Sequence, residues 1–311
     1  MQNLKNILAA LGLVCISGLF IFSMQKAPSD DTLGKEQPIV NDYNVYALEM
    51  PEGLNFAGEM VPMENPDIYE RMDRELLVNT YWQSNGLLLL KRAQKYFPIL
   101  EPLLKKYDLP DDFKFLALAE SGFIDETSSA GAAGMWHFMR ETGKEYGLEI
   151  NENVDERYHI EKSTKVAAEY LKKAKERFGS WTLAAASYNA GIYGVSKRLK
   201  TQQVDSYYDA LLPDETERYV FRILALKEIM SNPSKYGFNF NQSDLYKYIP
   251  TYKVEVDTAV TDFSQFAKRF GINYKILKLH NPWLRENHLN NKSRKLYTIE
   301  IPKEGYYTSK P

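Results

Sequence analysis

The chain has 311 residues, 44% hydrophobic and 26% charged, ordinary globular proportions for one or two domains that exclude a wholly disordered or multi-span protein. Lys and Arg number 39 against 41 Asp and Glu, a net charge of −2, so there is no cationic excess for phosphate and no nucleic-acid partner is expected. A single cysteine excludes a disulfide framework, and His137, His159, His280 and His288 lack the His-Glu-x-x-His spacing of a zinc hydrolase, so neither a metal site nor a cofactor is expected. The 22 Tyr, 15 Phe and 4 Trp suit a groove for ring-shaped ligands, though most such side chains build core.

Lys5 precedes an apolar run from Ile7 to Phe22, which Lys26, Ser29, Asp30 and Asp31 end. A basic start and apolar middle read as an export signal, slightly short for a membrane span. Ser23-Met24-Gln25-Lys26-Ala27 offers no clear cleavage site, so residues 1–26 read either as a signal peptide or as an uncleaved membrane anchor. Val14 stands where a lipobox wants a small residue, which makes a buried apolar Cys15 the plainer reading and lipidation the lesser one. Either way the remainder is expected to work outside the cytoplasm, in the cell envelope or periplasm.

Residues 27–65, rich in Pro, Asp, Glu and Gly without period, read as a linker or irregular arm. Residues 66–240 read as an all-α domain. Leu87 to Tyr107 predicts two short helices broken at Pro98 and Pro102. Leu109-Pro110-Asp111-Asp112 predicts a helix start. Ser163 is expected to cap a helix from Thr164 to Phe178 that Gly179 stops. Trp181 to Asn189 is a second helix and Pro213 to Met230 a third. Residues 248–305 change pattern: Tyr252 to Val256 alternates, two short helices follow from Phe263 and Tyr274, and Leu296 to Ile301 alternates again. This predicts a small βααβ module that buries its sheet against its own two helices.

The chemistry lies in the helical block. Phe113, Leu116, Ala117 and Glu120 fall at i, i+3, i+4 and i+7, so a carboxylate continues an apolar helix face to the last turn, which Ser121-Gly122 ends. Apolar surroundings and the negative end of the helix dipole both oppose the charged form, as a general acid requires. Alone, the same pattern also suits a solvated Glu at a helix end.

Glu120-Ser121 is followed by Ser128-Ser129-Ala130-Gly131-Ala132-Ala133-Gly134-Met135-Trp136-His137-Phe138-Met139. Then come Ser187-Tyr188-Asn189-Ala190-Gly191 and Leu212-Pro213-Asp214-Glu215-Thr216-Glu217-Arg218-Tyr219-Val220. In order and spacing this set, over roughly Phe56 to Phe238, resembles the lytic transglycosylases of the goose-type lysozyme superfamily, most of all the membrane-bound lytic transglycosylase D branch. The resemblance implies a mainly α protein: a lysozyme-like helical catalytic domain with a small C-terminal α+β (βααβ) module. It also implies cleavage of the β-1,4 bond between N-acetylmuramic acid and N-acetylglucosamine in peptidoglycan glycan strands.

By that resemblance Glu120 is the sole catalytic acid/base and Ser121 completes its signature. Ser128 neighbours the sugar N-acetyl group, and Gly131 and Gly134 admit the saccharide to the backbone. Tyr188 and Asn189 flank the scissile bond, and Glu215 and Tyr219 belong to a late Glu-Thr-x-x-Tyr motif. Trp136 is either groove wall or core, and His137 stands where the family usually has Gln. With one carboxylate, the substrate acetamido group supports C1 and the muramoyl O6 closes on it, giving a 1,6-anhydromuramoyl end. Plainer readings stand beside these: Tyr188-Asn189-Ala190-Gly191 as a helix cap, Glu215 as a partner of the helix dipole, Asp125 and Glu126 as loop solvation. The C-terminal module resembles LysM through Ala267-Lys268-Arg269-Phe270-Gly271, Leu279-His280-Asn281-Pro282 and Ile299-Glu300-Ile301-Pro302. Asp257-Thr258-Ala259-Val260 replaces its usual Gly-Asp-Thr-Leu turn, so glycan binding and a packing role both remain open. Two competing functions are a hydrolytic muramidase on the same fold and a non-catalytic peptidoglycan-binding protein.

Overall fold

The computed structural model describes residues 44–307, so the N-terminal apolar run, Cys15 and the first part of the expected linker, to residue 43, lie outside the described residues. A two-residue hairpin, β1 (Asn55–Phe56) and β2 (Glu59–Met60), comes first, within the stretch expected to be linker. Leu54, Phe56 and Val61 around it are buried, and Phe56 meets Phe113 edge to face at 5.2 Å.

The helical body follows. Helix α1 (Pro66–Tyr81) carries Glu75, which is fully buried and accepts from Arg218 Nε at 2.6 Å. Helix α2 (Gln83–Lys106) is continuous, contrary to the break expected at its prolines. Pro98 and Pro102 are four residues apart and both exposed, so the Gln94 and Pro98 carbonyls that they leave without donors fall on the solvent side. Helix α3 (Phe113–Ser121) and the short α4 (Arg140–Glu145) flank the loop of small residues.

Helix α5 (Ile160–Phe178) starts a turn before the expected Ser163 cap. Ser163 instead turns its hydroxyl back to the His159 carbonyl at 2.9 Å, an arrangement open to a serine inside a helix. Helix α6 (Trp181–Ala190) is capped by Ser180, whose Oγ accepts from Leu183 N. Helices α7 (Ile192–Gln202) and α8 (Asp214–Ser231) complete the body, α8 packing against α1, α3 and α6. One apolar cluster joins these helices, with Phe113, Leu116, Leu171, Val220 and Leu224 fully buried at its centre.

The C-terminal module has strand β3 (Thr251–Val256), helices α9 (Phe263–Lys268) and α10 (Tyr274–His280), and strand β4 (Tyr297–Pro302). The strands pair antiparallel, with Tyr252 opposite Ile301 and Val254 opposite Ile299. Buried Asn281 ties α10 to β4: its Nδ2 donates to Glu300 O at 2.7 Å and its Oδ1 accepts from Glu300 N at 2.8 Å. The module does not close on itself alone. Its apolar cluster also takes in Ala133, Val154 and Tyr158 of the helical body. Backbone joins there too, since Asp155 N donates to Trp283 O at 2.9 Å and Arg285 N to Asn153 O at 2.8 Å. Among the described residues no helix is long and apolar enough to cross a membrane.

Candidate functional site

Phe113, Leu116 and Ala117 bury one face of α3, and that face delivers Glu120 to the helix end with its side chain only 16% exposed. Gly122 then takes φ +54°, and its N–H caps Leu118 O at 2.8 Å, which turns the chain away and leaves the carboxyl group at the edge of the body. The two carboxyl oxygens face different partners. Oε1 accepts from the Tyr219 hydroxyl of α8, and Oε2 lies 3.7 Å from His137 Nδ1. Burial first, then the charge of Glu120, pushes the Tyr219 phenol well above its ordinary range, so it remains a donor. Of the residues singled out in the sequence, the structure thus brings Glu120, His137 and Tyr219 together.

His137 reaches Glu120 from a loop whose shape others hold. His137 itself has φ +52°, a left-handed conformation for a non-glycine residue at the tip of a turn closed by its N–H on Gly134 O at 3.0 Å. Gly134, expected to face the saccharide, is buried against the chain's own backbone instead: a Cβ there would lie 1.9 Å from Arg157 O. Arg157 is one residue that sequence reasoning missed. Its guanidinium is buried, pairs with Asp155 at 2.7 Å, and donates through Nη1 to Gly131 O at 2.8 Å and Phe138 O at 3.0 Å. The only signal for it was the Asp-x-Arg spacing at residues 155–157.

Trp136, open in sequence between groove wall and core, is fully buried and is core. Its Nε1 donates to Thr164 Oγ1 at 2.9 Å, which satisfies the indole away from any ligand. Ser121 and Ser128 are occupied within the loop. Ser121 Oγ lies 2.9 Å from Met135 O and accepts from Phe123 N at 3.1 Å, while Ser128 Oγ accepts from Ala132 N at 3.0 Å. In this structure both serines shape the 121–138 segment.

Helix α6 presents the next pair. Tyr188 donates to Trp136 O at 2.7 Å, so its hydroxyl fixes the peptide that leads into His137. Burial, then the Glu120 charge, raises this phenol well above its usual range. Asn189 Oδ1 accepts from Thr216 Oγ1 at 2.7 Å, which joins the end of α6 to the first turn of α8. Glu215, exposed in that first turn beside the positive end of the α8 dipole, faces a cavity of about 560 Å³ with Asn189 and Thr216. Asp125 is not part of this constellation; it lines a separate cavity of about 440 Å³ with Lys95, Phe123 and Trp283.

A second missed residue works through α6. Glu59, from the supposed linker, accepts from Trp181 N at 2.6 Å, Thr182 N at 2.9 Å, Ser180 Oγ at 2.7 Å and Lys175 Nζ at 2.9 Å. Burial opposes its charge, but the Thr182 and Trp181 amides, the Ser180 hydroxyl and the Lys175 ammonium outweigh it and lower the carboxyl from 4.5 to about 2. Its contacts lie 122 residues apart in sequence, beyond any local pattern. Among the described residues no group of three or more His, Cys, Asp and Glu is placed to hold a metal ion.

Residues 97–210 match the Transglycosylase SLT domain, and residues 252–305 match the soluble lytic transglycosylase C-terminal LysM-like domain. The helical body thus contains a segment that matches the SLT transglycosylase domain, and the C-terminal module one that matches the LysM-like domain.

Among individual proteins, the chain is 31% identical over 235 residues to membrane-bound lytic murein transglycosylase D of Escherichia coli (strain K12), covering 73% of this chain and 50% of that one. The protein of the same name from Escherichia coli O6:H1 matches with the same figures. The chain thus spans about half the length of the curated relatives it matches. A crystal structure of an inactive mutant of the lytic transglycosylase Slt from Pseudomonas aeruginosa aligns at 23% identity and a TM-score of 0.35, covering 50% of this chain and 26% of that one.

Proposed function

We propose that the protein is a peptidoglycan lytic transglycosylase of the cell envelope, cleaving the MurNAc–GlcNAc β-1,4 bond and leaving 1,6-anhydromuramoyl ends. Residues 66–240 are its catalytic domain and residues 248–305 its LysM-like module, with glycan strands as the partner and residues 1–26 as export signal or anchor. One observation carries the reading: a single carboxyl group, Glu120, sits at a helix end with Tyr219 on one oxygen and His137 near the other.

In the mechanism Glu120 donates its proton to the glycosidic oxygen as the bond to C1 breaks, while the substrate's own acetamido oxygen supports C1. The resulting carboxylate, held by the Tyr219 hydroxyl, then takes the proton from muramoyl O6, which bonds to C1 and releases the acetamido oxygen. Glu120 ends the cycle protonated. Tyr188 holds the His137 loop through Trp136 O, and Asn189, its neighbour in sequence, ties the end of α6 to α8 through Thr216.

The test is the mass of the products. Purified peptidoglycan digested without borohydride reduction should yield predominantly anhydro ends, each lighter by one water than a reducing end. Predominantly reducing ends would make the protein a hydrolytic muramidase, and no cleavage across the pH range would make it a binding protein.

A further inference from the structure

The cavity of about 440 Å³ that Asp125 lines lies between the helical body and the C-terminal module. Helix α2 and the start of α5 form one side, and His280 and Trp283 of the module the other. Glu120, His137 and Tyr219 do not border it, so it is separate from the proposed catalytic centre. Its wall is aromatic: the Tyr96 and Phe123 rings meet at 5.3 Å, and the His159 ring lies 5.7 Å from that of Trp283. Apolar walls with a few polar groups, at a boundary between modules, are the usual form of a small-molecule site.

The polar groups distinguish this one. Lys95 and Asp125 carry opposite charges, and among the described residues neither side chain makes a hydrogen bond or an ion pair. Lys95 Nζ lies instead 4.8 Å from the Tyr96 ring centroid. Asp125 keeps solvent-open surface, yet burial of its carboxyl raises it above the ordinary range, with Lys95 and Arg285 pulling the other way. Arg285 is engaged elsewhere: it donates to Pro282 O at 2.8 Å and lies over the Tyr158 ring at 4.3 Å. Lys95 and Asp125 thus feel each other's charge without closing on one another. His159 is neutral, since burial and then the Lys162 charge lower it to about 4. Its ring has no hydrogen-bond partner among the described residues, so one nitrogen remains to accept and the other to donate.

We propose that this cavity binds a free aromatic α-amino acid, with its carboxylate on Lys95, its ammonium on Asp125 and its ring against Tyr96, Phe123 and Trp283. Charge decides the class. A neutral sugar leaves both charges unanswered, an anion alone is repelled by Asp125, and a cation alone by Lys95. A zwitterion answers both, and an α-amino acid carries its two charges on one carbon, as near together as this pair requires. The aromatic wall selects a flat side chain, stacked offset or edge-on to its rings. His159 adds a partner for a polar ring edge, accepting an indole N–H through its unprotonated nitrogen. The inference stands independently of the peptidoglycan reading.

The experiment titrates the full chain calorimetrically with L-tryptophan, with tryptamine, which lacks the carboxylate, and with N-acetyl-L-tryptophan, which lacks the ammonium. Each analogue should bind roughly 10-fold or more weakly than L-tryptophan, the size of one lost charge-assisted hydrogen bond. Lys95→Gln should shrink the difference between tryptophan and tryptamine toward none, and Asp125→Asn the difference between tryptophan and its N-acetyl form. Amide exchange in the wild-type chain should slow at residues 123–125 and 280–283 when tryptophan binds, and not in α7. The proposal is overturned if tryptophan fails to bind at millimolar concentration or if the wild-type chain binds all three compounds equally. It is overturned as well if either difference persists in its variant, or if the slowed exchange falls only on other segments.

Discussion

In the proposed reaction Glu120 concentrates the chemistry, and each of its oxygens already has a neighbour. Tyr219 can only donate to Oε1, while Oε2 faces the His137 imidazole at 3.7 Å. Glu120→Gln should leave the fold intact and reduce turnover by more than roughly 10²–10⁴-fold, because the amide is nearly isosteric yet has no acidic proton to give. Near wild-type muropeptide release by the folded variant would remove Glu120 from the mechanism. His137 gives the second residue-scale prediction. As a side chain at the site edge, His137→Gln should retain activity, read as muropeptide release, because the amide can still donate toward Glu120 from the same loop position. A loss of stability of roughly 2 kcal/mol or more in that variant, read by urea denaturation, would instead make the ring a packing group. At this scale the sequence was legible where spacing alone determined direction: the i, i+3, i+4, i+7 run placed Glu120 correctly. It was not legible for Trp136, because whether an indole faces a groove or a core depends on Thr164, a partner 28 residues away that closes its N–H.

At the scale of elements, α6 shows how a site is held from outside itself. Its first turn leaves N–H groups unpaired, and Glu59 takes those of Trp181 and Thr182 while also binding Ser180 and Lys175. The lowered carboxyl fixes the sign of a pH effect. Because the folded value lies below the unfolded one, the stabilisation is fully present above about 4.5 and is lost progressively as pH falls toward about 2. Glu59→Gln should therefore cost roughly 1–2 kcal/mol at neutral pH, a figure reduced for partial solvent screening, and the gap to wild type should close between those values. Denaturant midpoints measured at neutral and acid pH check this; a gap that persists at the acid end would mean that shape, not charge, matters at Glu59. The same element-scale logic explains α2. Proline breaks a helix where it leaves a carbonyl stranded in the interior, and sequence does not say which side faces water. Helices α6 and α8 and both strands of the module were legible because their caps, stops and alternation are local. The hairpin at 55–60 was not, since its reason for folding is the distant Phe113 and the start of α6.

Across the whole molecule, the C-terminal module touches the helical body at the segment that shapes the site. Trp283 O and the Arg285 amide bond to Asp155 and Asn153, and Val154 pairs with Leu284 as an isolated bridge. Two residues further on, Arg157 holds Gly131 and Phe138 on either side of His137. The path from module to acid is thus continuous: Leu284, Val154, the Asp155–Arg157 pair, the 131–138 loop, Glu120. Leu284 is fully buried where it meets Val154, so Leu284→Ala should cost roughly 2–5 kcal/mol through lost packing and the cavity left behind. If the module braces the site, amide exchange in the full-length variant should accelerate at residues 131–138 more than in α7, and turnover of short soluble glycans should fall. If the module serves only as a tether to the cell wall, the variant should process those fragments at the wild-type rate and lose activity on insoluble peptidoglycan alone. The backbone bonds to Asn153 and Asp155 favour the first outcome, because they fix the very loop from which Arg157 projects.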